Sequence, residues 1–249
     1  MKVYPLLLGD FDVNEKVLFK NGDFTKKILF PSYAYYIEDG QEKILVDTGF
    51  GDAYECTEKL GREVRTPKGM TLLEHLKRLR ISPEDITAVV LTHCHWDHIG
   101  GLGLFKETKI YCQAVEIPWI VAPPAWMTES YAPVFAHFIT EARNRLVLID
   151  GDYALTERVK LKKVGGHSPG SQIVEITGDT RDVIVAGDAL FYFDNLEKSI
   201  PPGEYFSLGE TVETFQYFRN RVIGKPGTIV MPGHDPKLWE RYKDGVENF

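Results

Sequence analysis

The chain has 249 residues, of which 43% are hydrophobic and 26% charged, a composition close to that of ordinary globular proteins. This balance excludes a disordered chain, a collagen-like repeat and a long coiled coil. Asp and Glu outnumber Lys and Arg by 36 to 29, and the net charge of −7 argues against a nucleic-acid partner. No apolar run approaches the roughly 20 residues that a membrane-spanning helix needs. We therefore expect one domain over residues 1–249 and no membrane span.

The cysteines and the N-terminus bear on the cellular compartment. Cys56, Cys94 and Cys112 show no paired spacing, so a disulfide framework is not expected. The first apolar stretch is short and is followed at once by Asp10 and Asp12, unlike a secretory signal peptide. Both features predict a cytoplasmic protein. The sequence leaves the oligomeric state open, with a homodimer as one alternative.

Short apolar runs separated by turn residues predict many strands. The first strand is expected at the N-terminus, and Tyr33–Ile37 and Lys43–Val46 flank a hairpin turn that contains Gly40. Ile86–Leu91 has the β-branched composition of a buried strand and follows a single turn that begins at Ser82. Further strands are expected at Lys109–Gln113, Leu146–Ile149, Val159–Val164, Gln172–Ile176, Asp182–Ala186 and Thr228–Met231.

Fewer segments predict helices. Thr71 and Glu74 form the pattern of a capping box, so a helix is expected from there through Arg80. A second helix is expected over Glu129–Arg143, and a third over Ser207–Val222 with a polar cap at its start. Strands and helices mix along the whole chain, which indicates an α/β or α+β fold with sheets covered by helices.

The histidines are the most informative feature of the chain. Three of the seven lie in the segment His93-Cys94-His95-Trp96-Asp97-His98, directly after a predicted buried strand. Neutral imidazole and carboxylate are the usual ligands of zinc and related divalent ions when thiolate is absent. This segment therefore predicts a metal site. His75 and His137 lie in predicted helices, and we expect both to be ordinary hydrogen-bonded residues.

Three other places repeat one local pattern, in which an apolar strand ends in glycine and then a residue able to bind a metal. They are Val164-Gly165-Gly166-His167, Val185-Ala186-Gly187-Asp188 and Met231-Pro232-Gly233-His234. A single Gly-His or Gly-Asp is a common turn without function. Together with the histidine segment, however, they give four strand ends whose side chains are expected to meet on one rim.

This ordered set of motifs resembles the metallo-β-lactamase superfamily, and the resemblance extends from Asp47-Thr48-Gly49 to His234. It implies an αββα sandwich of four layers with two divalent metal ions at the edge where the sheets meet. It implies that one ion is held by His93, His95 and His167, the other by Asp97, His98 and His234, and that Asp188 and a hydroxide bridge them. Zinc is the first choice of metal, with iron, manganese or cobalt as alternatives.

The resemblance also implies catalytic roles around the metal pair. A metal-bound hydroxide would be a strong nucleophile at neutral pH, and Asp97 would pass a proton to the leaving group. Asp47 matches the superfamily's strand-end aspartate, which supports a ligand histidine by hydrogen bonding. The alternative for Asp47 is an ordinary turn residue in Asp-Thr-Gly.

Within the superfamily, the sequence looks most similar to the N-acyl homoserine lactonases, whose hydrolysis of lactone signals is called quorum quenching. Asp188 stands where the zinc β-lactamases place cysteine, and His95 stands where flavodiiron proteins place glutamate. Only 15 residues follow His234 (249 − 234), which is too short for the glutathione-binding extension of glyoxalase II. The sequence therefore predicts lactone ring opening. The alternatives are a glyoxalase II-like ester or thioester hydrolase, a diiron redox protein, and a non-catalytic metal-stabilised binding module.

Two aromatic positions bear on the substrate. The lactonases place a substrate-binding tyrosine three residues after the bridging aspartate, but this chain has Phe191 there, which cannot donate a hydrogen bond. The neighbouring Tyr192 is a candidate replacement, with a packed surface aromatic as the alternative. Trp126, beside a pair of prolines, is a candidate for lining an apolar substrate pocket, whereas Phe135 and Phe138 are expected to pack into the core.

Overall fold

The computed structural model describes all 249 residues and contains two β-sheets with helices against them. The strands are β1 Lys2–Asn14, β2 Lys27–Asp39, β3 Glu42–Val46, β4 Val64–Arg65, β5 Ala88–Val90, β6 Lys109–Gln113, β7 Leu146–Ile149, β8 Tyr153–Ala154, β9 Val159–Lys163, β10 Gln172–Ile176, β11 Val183–Gly187, β12 Ile229–Pro232 and β13 Val246–Glu247. The α-helices are α1 Glu15–Leu18, α2 Ala53–Leu60, α3 Leu72–Arg78, α4 Trp96–Ile99, α5 Glu116–Val121, α6 Thr128–Tyr131, α7 Ala136–Glu141, α8 Phe193–Lys198, α9 Leu208–Gly224 and α10 Pro236–Tyr242. None of these helices has both the length and the apolar composition needed to cross a membrane.

The strand order places several strand ends at the same edge. The first sheet has eight strands in the order β13-β1-β2-β3-β5-β6-β7, with β4 paired to β1. Its strands β3, β5, β6 and β7 pair in parallel. The second sheet has the order β12-β11-β10-β9-β8, and β11 and β12 pair in parallel. Because parallel strands end at the same edge, residues that follow them lie close together.

Apolar side chains from both sheets form the layer between them. Val46 and Val90 of the first sheet belong to one buried cluster with Val174 and Val185 of the second. The opposite face of the first sheet packs against α3, α5 and α7, and the opposite face of the second packs against α9. The order of layers is therefore helix, sheet, sheet, helix, and the predicted αββα sandwich is confirmed.

The predicted strands all exist, and most of their bounds differ by at most two residues, but β2 begins at Lys27, six residues before the predicted start at Tyr33. The hairpin turns at Gly40 as expected, since β2 ends at Asp39 and β3 begins at Glu42. Thr71 and Glu74 form the predicted capping box, although the helix ends at Arg78, two residues early. The helix that begins after Ser207 runs to Gly224.

The helix predicted over Glu129–Arg143 is wrong as one continuous element. The segment divides into α6, a 3-10 turn at Pro133–Phe135, α7 and a second 3-10 turn at Arg143–Arg145. Ala132 lies in the left-handed region with φ +41°. Proline disfavours helical backbone in the residue before it and cannot donate the helical hydrogen bond. Pro133 therefore interrupts the helix that the apolar spacing favoured.

Candidate metal centre and active site

The first sheet contributes the histidine segment to the edge of the sandwich. β5 ends at Val90, and the chain continues through His93 and His95 into the short helix α4, which carries Asp97 and His98. The neighbouring parallel strand β3 ends one residue before Asp47. The extended segment and the helical turn give these side chains different directions, and all of them converge on one buried region.

The second sheet contributes the remaining residues from three strand ends. His167 follows β9, Asp188 follows β11 and His234 follows β12. Two glycines make this convergence sterically feasible. Gly187 has φ +49°, and a Cβ atom on Gly233 would lie 2.7 Å from the Gly187 carbonyl oxygen. Side chains at these positions would push the strand ends apart, so glycine is required for the close approach.

The structure brings all seven predicted metal-binding residues together. They form two groups, and within each group one ligand atom per residue lies within 4.8 Å of the others. The first group is His93, His95, His167 and Asp188, and the second group is Asp97, His98 and His234. All seven residues are buried, with at most 5% exposure. The arrangement provides a site for two divalent ions.

The carboxylate of Asp188 lies between the two groups. Its Oδ1 is 2.9 Å from His234 Nε2 and 3.3 Å from His98 Nε2, on the side of the second group. Its Oδ2 is 3.2 Å from His167 Nε2 and 3.8 Å from His93 Nε2, on the side of the first group. One carboxylate oxygen therefore faces each group, which is the geometry of a ligand shared by two ions.

The donor atoms fit metal ions rather than a network of hydrogen bonds. Buried nitrogens of His93, His95, His98 and His167 have no hydrogen-bond partner in the structure. An unsatisfied buried polar atom costs about 1–3 kcal/mol, so four such nitrogens in one cluster fit a site whose ligand atoms bind metal ions. Burial, reinforced by neighbouring imidazoles, lowers the pKa of His93 and of His95 well below the usual range. These rings are therefore neutral, as metal coordination requires.

Hydrogen bonds outside the two groups orient several of the rings. Asp47 accepts a hydrogen bond from Nδ1 of His98 at 2.8 Å, which leaves Nε2 facing Asp188. His234 donates from Nδ1 to the carbonyl of Pro31 at 2.7 Å, so its Nε2 also faces Asp188. Such contacts select the tautomer that presents a lone pair to a metal ion.

A cavity of about 460 Å³ opens directly over the two groups. His95, Asp97, His167 and Asp188 lie at its floor, and its outer rim carries charged and polar residues. Two contacts connect residues of this rim. Arg62 forms an ion pair with Glu129, and Ser130 donates a hydrogen bond to Glu204 at 3.0 Å. The apolar part of the cavity wall is formed by Phe11, Val13, Val17, Phe30, Trp96 and Phe191.

The three aromatic candidates have different positions. Phe191 is buried, lines the cavity and lies 5.5 Å from the ring of His167. The hydroxyl of Tyr192 donates instead to the carbonyl of Leu29, so it does not point into the cavity. Trp126 is 68% exposed and is not among the residues that line the cavity. The structure thus places Phe191 at the site and leaves Tyr192 and Trp126 outside it.

Comparison with known proteins agrees with this architecture. A family model of the metallo-β-lactamase superfamily matches residues 28–234. An N-acyl homoserine lactonase of Bacillus thuringiensis is 32% identical over 220 residues, which is 84% of this chain and 83% of that protein. The chain belongs to the N-acyl homoserine lactonase family of this superfamily.

Solved structures of lactonases share the fold over nearly the whole chain. An N-acyl homoserine lactone hydrolase, with its product N-hexanoyl-L-homoserine bound at the catalytic metal center, superposes with a TM-score of 0.79 and 25% identity. The superposition covers 96% of this chain and 95% of that one. AidC, a dizinc quorum-quenching lactonase, has a TM-score of 0.73 at 18% identity and covers 94% and 87% of the two chains.

One buried residue of this lactonase-family site was missed in the sequence. Glu116 has no exposed surface, and its carboxylate contacts the backbone of Cys94, beside two of the candidate ligands. Glu116 begins α5, three residues after the end of β6, which pairs in parallel with β5. The rule that strand ends meet at one edge, applied to this strand as well, would have identified it.

Proposed function

We propose that the chain is a hydrolase with two metal ions that opens the ring of N-acyl homoserine lactones. The observation that carries the proposal is Asp188, whose two carboxylate oxygens face two separate groups of buried ligands. The family relationship to lactonases supports the choice of substrate. Such an enzyme would remove lactone signals, which is quorum quenching.

The donor set supports one assignment of ligands. His93, His95 and His167 would hold the first ion, Asp97, His98 and His234 the second, and Asp188 both. Imidazole and carboxylate ligands suit zinc, our first choice, and also accept iron, manganese or cobalt. When bound, the ions would supply an ionised water at neutral pH and polarise the lactone carbonyl.

Asp97 is the candidate for proton transfer. It lines the cavity floor, and its Oδ2 lies 3.6 Å from Nε2 of His98 and 3.8 Å from Nε2 of His234. Ring opening forms a new bond from the water oxygen to the acyl carbon and breaks the bond from that carbon to the ring oxygen. The water proton passes to the Asp97 carboxylate and then to the departing ring oxygen, so Asp97 ends in its starting state.

The cavity wall supports a substrate with an apolar acyl group. Phe30, Trp96 and Phe191 provide an aromatic surface beside the floor, where the lactone ring would lie. No tyrosine lines the cavity, so the carbonyl and ring oxygens receive no phenolic hydrogen bond here. Transition-state stabilisation would therefore rest on the ions and Asp97 to a greater degree than in lactonases with the tyrosine.

The direct test follows acid release from acyl homoserine lactones of increasing chain length. The purified protein is loaded with zinc, manganese or ferrous iron, and Asp188→Ala is the matched control. We expect turnover by the wild type and none by the control. An absence of turnover at every chain length and with every metal would rule out the lactone.

Two rival functions keep the same ligands. A glyoxalase II-like hydrolase would cleave thioesters or open-chain esters faster than lactones, and a parallel substrate panel separates the two. A diiron redox protein would show a redox-active absorption band and no hydrolysis. A colourless zinc form with full lactone turnover would exclude that function.

Three further features belong to this proposal. We treat residues 1–249 as one hydrolase domain, since the family model and the structural superpositions extend over most of the chain. Cys56, Cys94 and Cys112 are buried and unpaired, which supports a reducing cytoplasmic compartment. Sedimentation of the purified protein would distinguish a monomer from a homodimer.

A further inference from the structure

Glu116 is a fully buried carboxylate that receives four hydrogen bonds. Its Oε1 accepts from the backbone N–H of Gly170 at 2.6 Å and from the hydroxyl of Ser168 at 2.8 Å. Its Oε2 accepts from the backbone N–H of Cys94 at 3.0 Å and from the hydroxyl of Tyr131 at 3.2 Å. A buried charge is tolerated only with such compensation.

Three of the four donors, Cys94, Ser168 and Gly170, belong to segments that carry the first group of ligands, and the fourth, Tyr131, lies in α6. Cys94 lies between His93 and His95, and Ser168 follows His167 directly. The ring of Tyr131 packs edge-on against the ring of His95, with centroids 4.6 Å apart. One carboxylate thus links two ligand segments from different sheets and the aromatic ring that supports one ligand.

No comparable contact connects Glu116 to the second group. The ring of His98 is held by Asp47, and that of His234 by the Pro31 carbonyl. The contacts of Glu116 therefore lie beside ligands of the first group. We propose that Glu116 is a positioning residue that holds His95 and His167 in place for the first metal ion. This inference rests on the metal pair of the proposed function.

The four hydrogen-bond donors around Glu116 explain why this position requires a carboxylate. All four partners act as hydrogen-bond donors, and an ionised carboxylate is acceptor-only on both oxygens. Glutamine has the same length, but its NH₂ group would face two of these donors. Glu116→Gln is therefore a nearly isosteric change that removes two of the four hydrogen bonds.

The experiment measures zinc affinity at each site separately. In a His234→Ala background, which removes a ligand of the second group, we expect Glu116→Gln to weaken binding of the remaining ion about 10–100-fold. In a His95→Ala background we expect Glu116→Gln to change the affinity of the remaining ion less than twofold. Glu175→Gln, which alters a carboxylate bonded to Tyr217 on the second sheet, is the control in both backgrounds.

The proposal requires that Glu116→Gln weaken binding of the first ion and leave binding of the second ion unchanged. A general loosening of the fold would weaken both ions equally, and a passive residue would weaken neither, so either result overturns the proposal. If Glu116→Gln does not fold by circular dichroism, the double variant Ser168→Ala/Tyr131→Phe replaces it. That variant removes one donor from each oxygen and keeps the carboxylate, and the same two outcomes apply.

The zinc titration also separates this inference from the proposed function. A wild-type protein that binds no divalent ions would contradict the proposed function itself. A wild type that binds two ions, together with an unaffected Glu116→Gln variant, would contradict the role of Glu116 alone.

Discussion

Asp47 and His98 form a buried pair in which the imidazole donates from Nδ1 to the carboxylate at 2.8 Å. The same carboxylate accepts from the backbone N–H and the hydroxyl of Thr92, each at 2.7 Å. Asp47 adopts φ +57°, a left-handed conformation that Asp and Asn tolerate better than most residues. The carboxylate of Asp47 thus accepts three hydrogen bonds, one of them from a candidate metal ligand.

The first prediction concerns Asp47→Asn. Asparagine keeps the backbone conformation, but its amide cannot accept from Nδ1 of His98 and from both Thr92 donors at once. The proton of His98 then shifts toward Nε2, where it competes with the metal. We expect affinity for one of the two ions to fall about 10–100-fold, as measured by zinc titration of the apoprotein. Unchanged affinity would show that Asp47 is an ordinary turn residue.

The second prediction separates ligand histidines from an ordinary one. His93→Ala and Asp188→Ala each remove a ligand from the buried groups, so bound metal should fall and turnover should be abolished. Metal contributes several kcal/mol of transition-state stabilisation, so the rate should fall on the order of 10³-fold or more. The ring of His137 hydrogen-bonds to the Val134 carbonyl and lies outside both ligand groups, so His137→Ala should retain both properties. Elemental analysis and initial rates would check all three variants.

The third prediction concerns Phe191, at the position where the resemblance to lactonases implies a tyrosine. Phe191→Tyr adds a hydroxyl at the cavity wall near His167 and His234. One additional neutral hydrogen bond to the substrate is worth about 1 kcal/mol, so kcat/KM should rise about fivefold to tenfold. Tyr192→Phe is the matched control, because the Tyr192 hydroxyl bonds to Leu29 and should not affect the rate. A lower rate in Tyr192→Phe would show that the Tyr192 hydroxyl contributes to the reaction.

The fourth prediction concerns pH and a histidine far from the metal groups. His75 is buried in α3 and hydrogen-bonds to the Leu7 carbonyl, and burial lowers its pKa below the usual value of about 6.5. The folded state therefore binds this proton less readily than the unfolded state. The contribution of His75 to stability is present above about pH 6.5 and is lost as pH falls through the lowered pKa.

Denaturant unfolding of the metal-free protein would test this dependence. The stability difference between wild type and His75→Gln should be larger at about pH 7.5 than at about pH 5.5. The metal-binding histidines are common to both proteins, so their protonation cancels in the difference. A difference that stays constant with pH would show that His75 has no shifted pKa.

The strands were predictable because their signal is local. Ile86–Leu91 and Lys109–Gln113 are short β-branched or apolar runs bounded by turns, and both form buried strands. The prediction of one helix over Glu129–Arg143 was wrong because the apolar spacing was given more weight than Pro133, which interrupts the helix. Short helices such as α2 and α10 have few apolar residues, so packing and caps define them more than periodicity does.

The candidate site was predictable where the residues follow a strand and glycine. His167, Asp188 and His234 meet because β9, β11 and β12 end at one edge. The direction of a side chain in a loop is not local information, and for that reason the position of Tyr192 was undetermined. The strand-end rule also indicates the location of Glu116, three residues after β6, but its hydrogen-bond partners lie on distant segments and could not be predicted.

The two ligand groups draw on both halves of the sandwich. His93, His95, Asp97 and His98 follow a strand of the first sheet, whereas His167, Asp188 and His234 follow strands of the second. Bound ions would therefore connect the two sheets. An ion whose free concentration is 100 times its dissociation constant adds about 2.7 kcal/mol to the free energy of unfolding. A cell starved of divalent metal would therefore contain a less stable form of the enzyme, with a larger unfolded fraction open to proteolysis, so metal supply would influence the amount of enzyme as well as its activity.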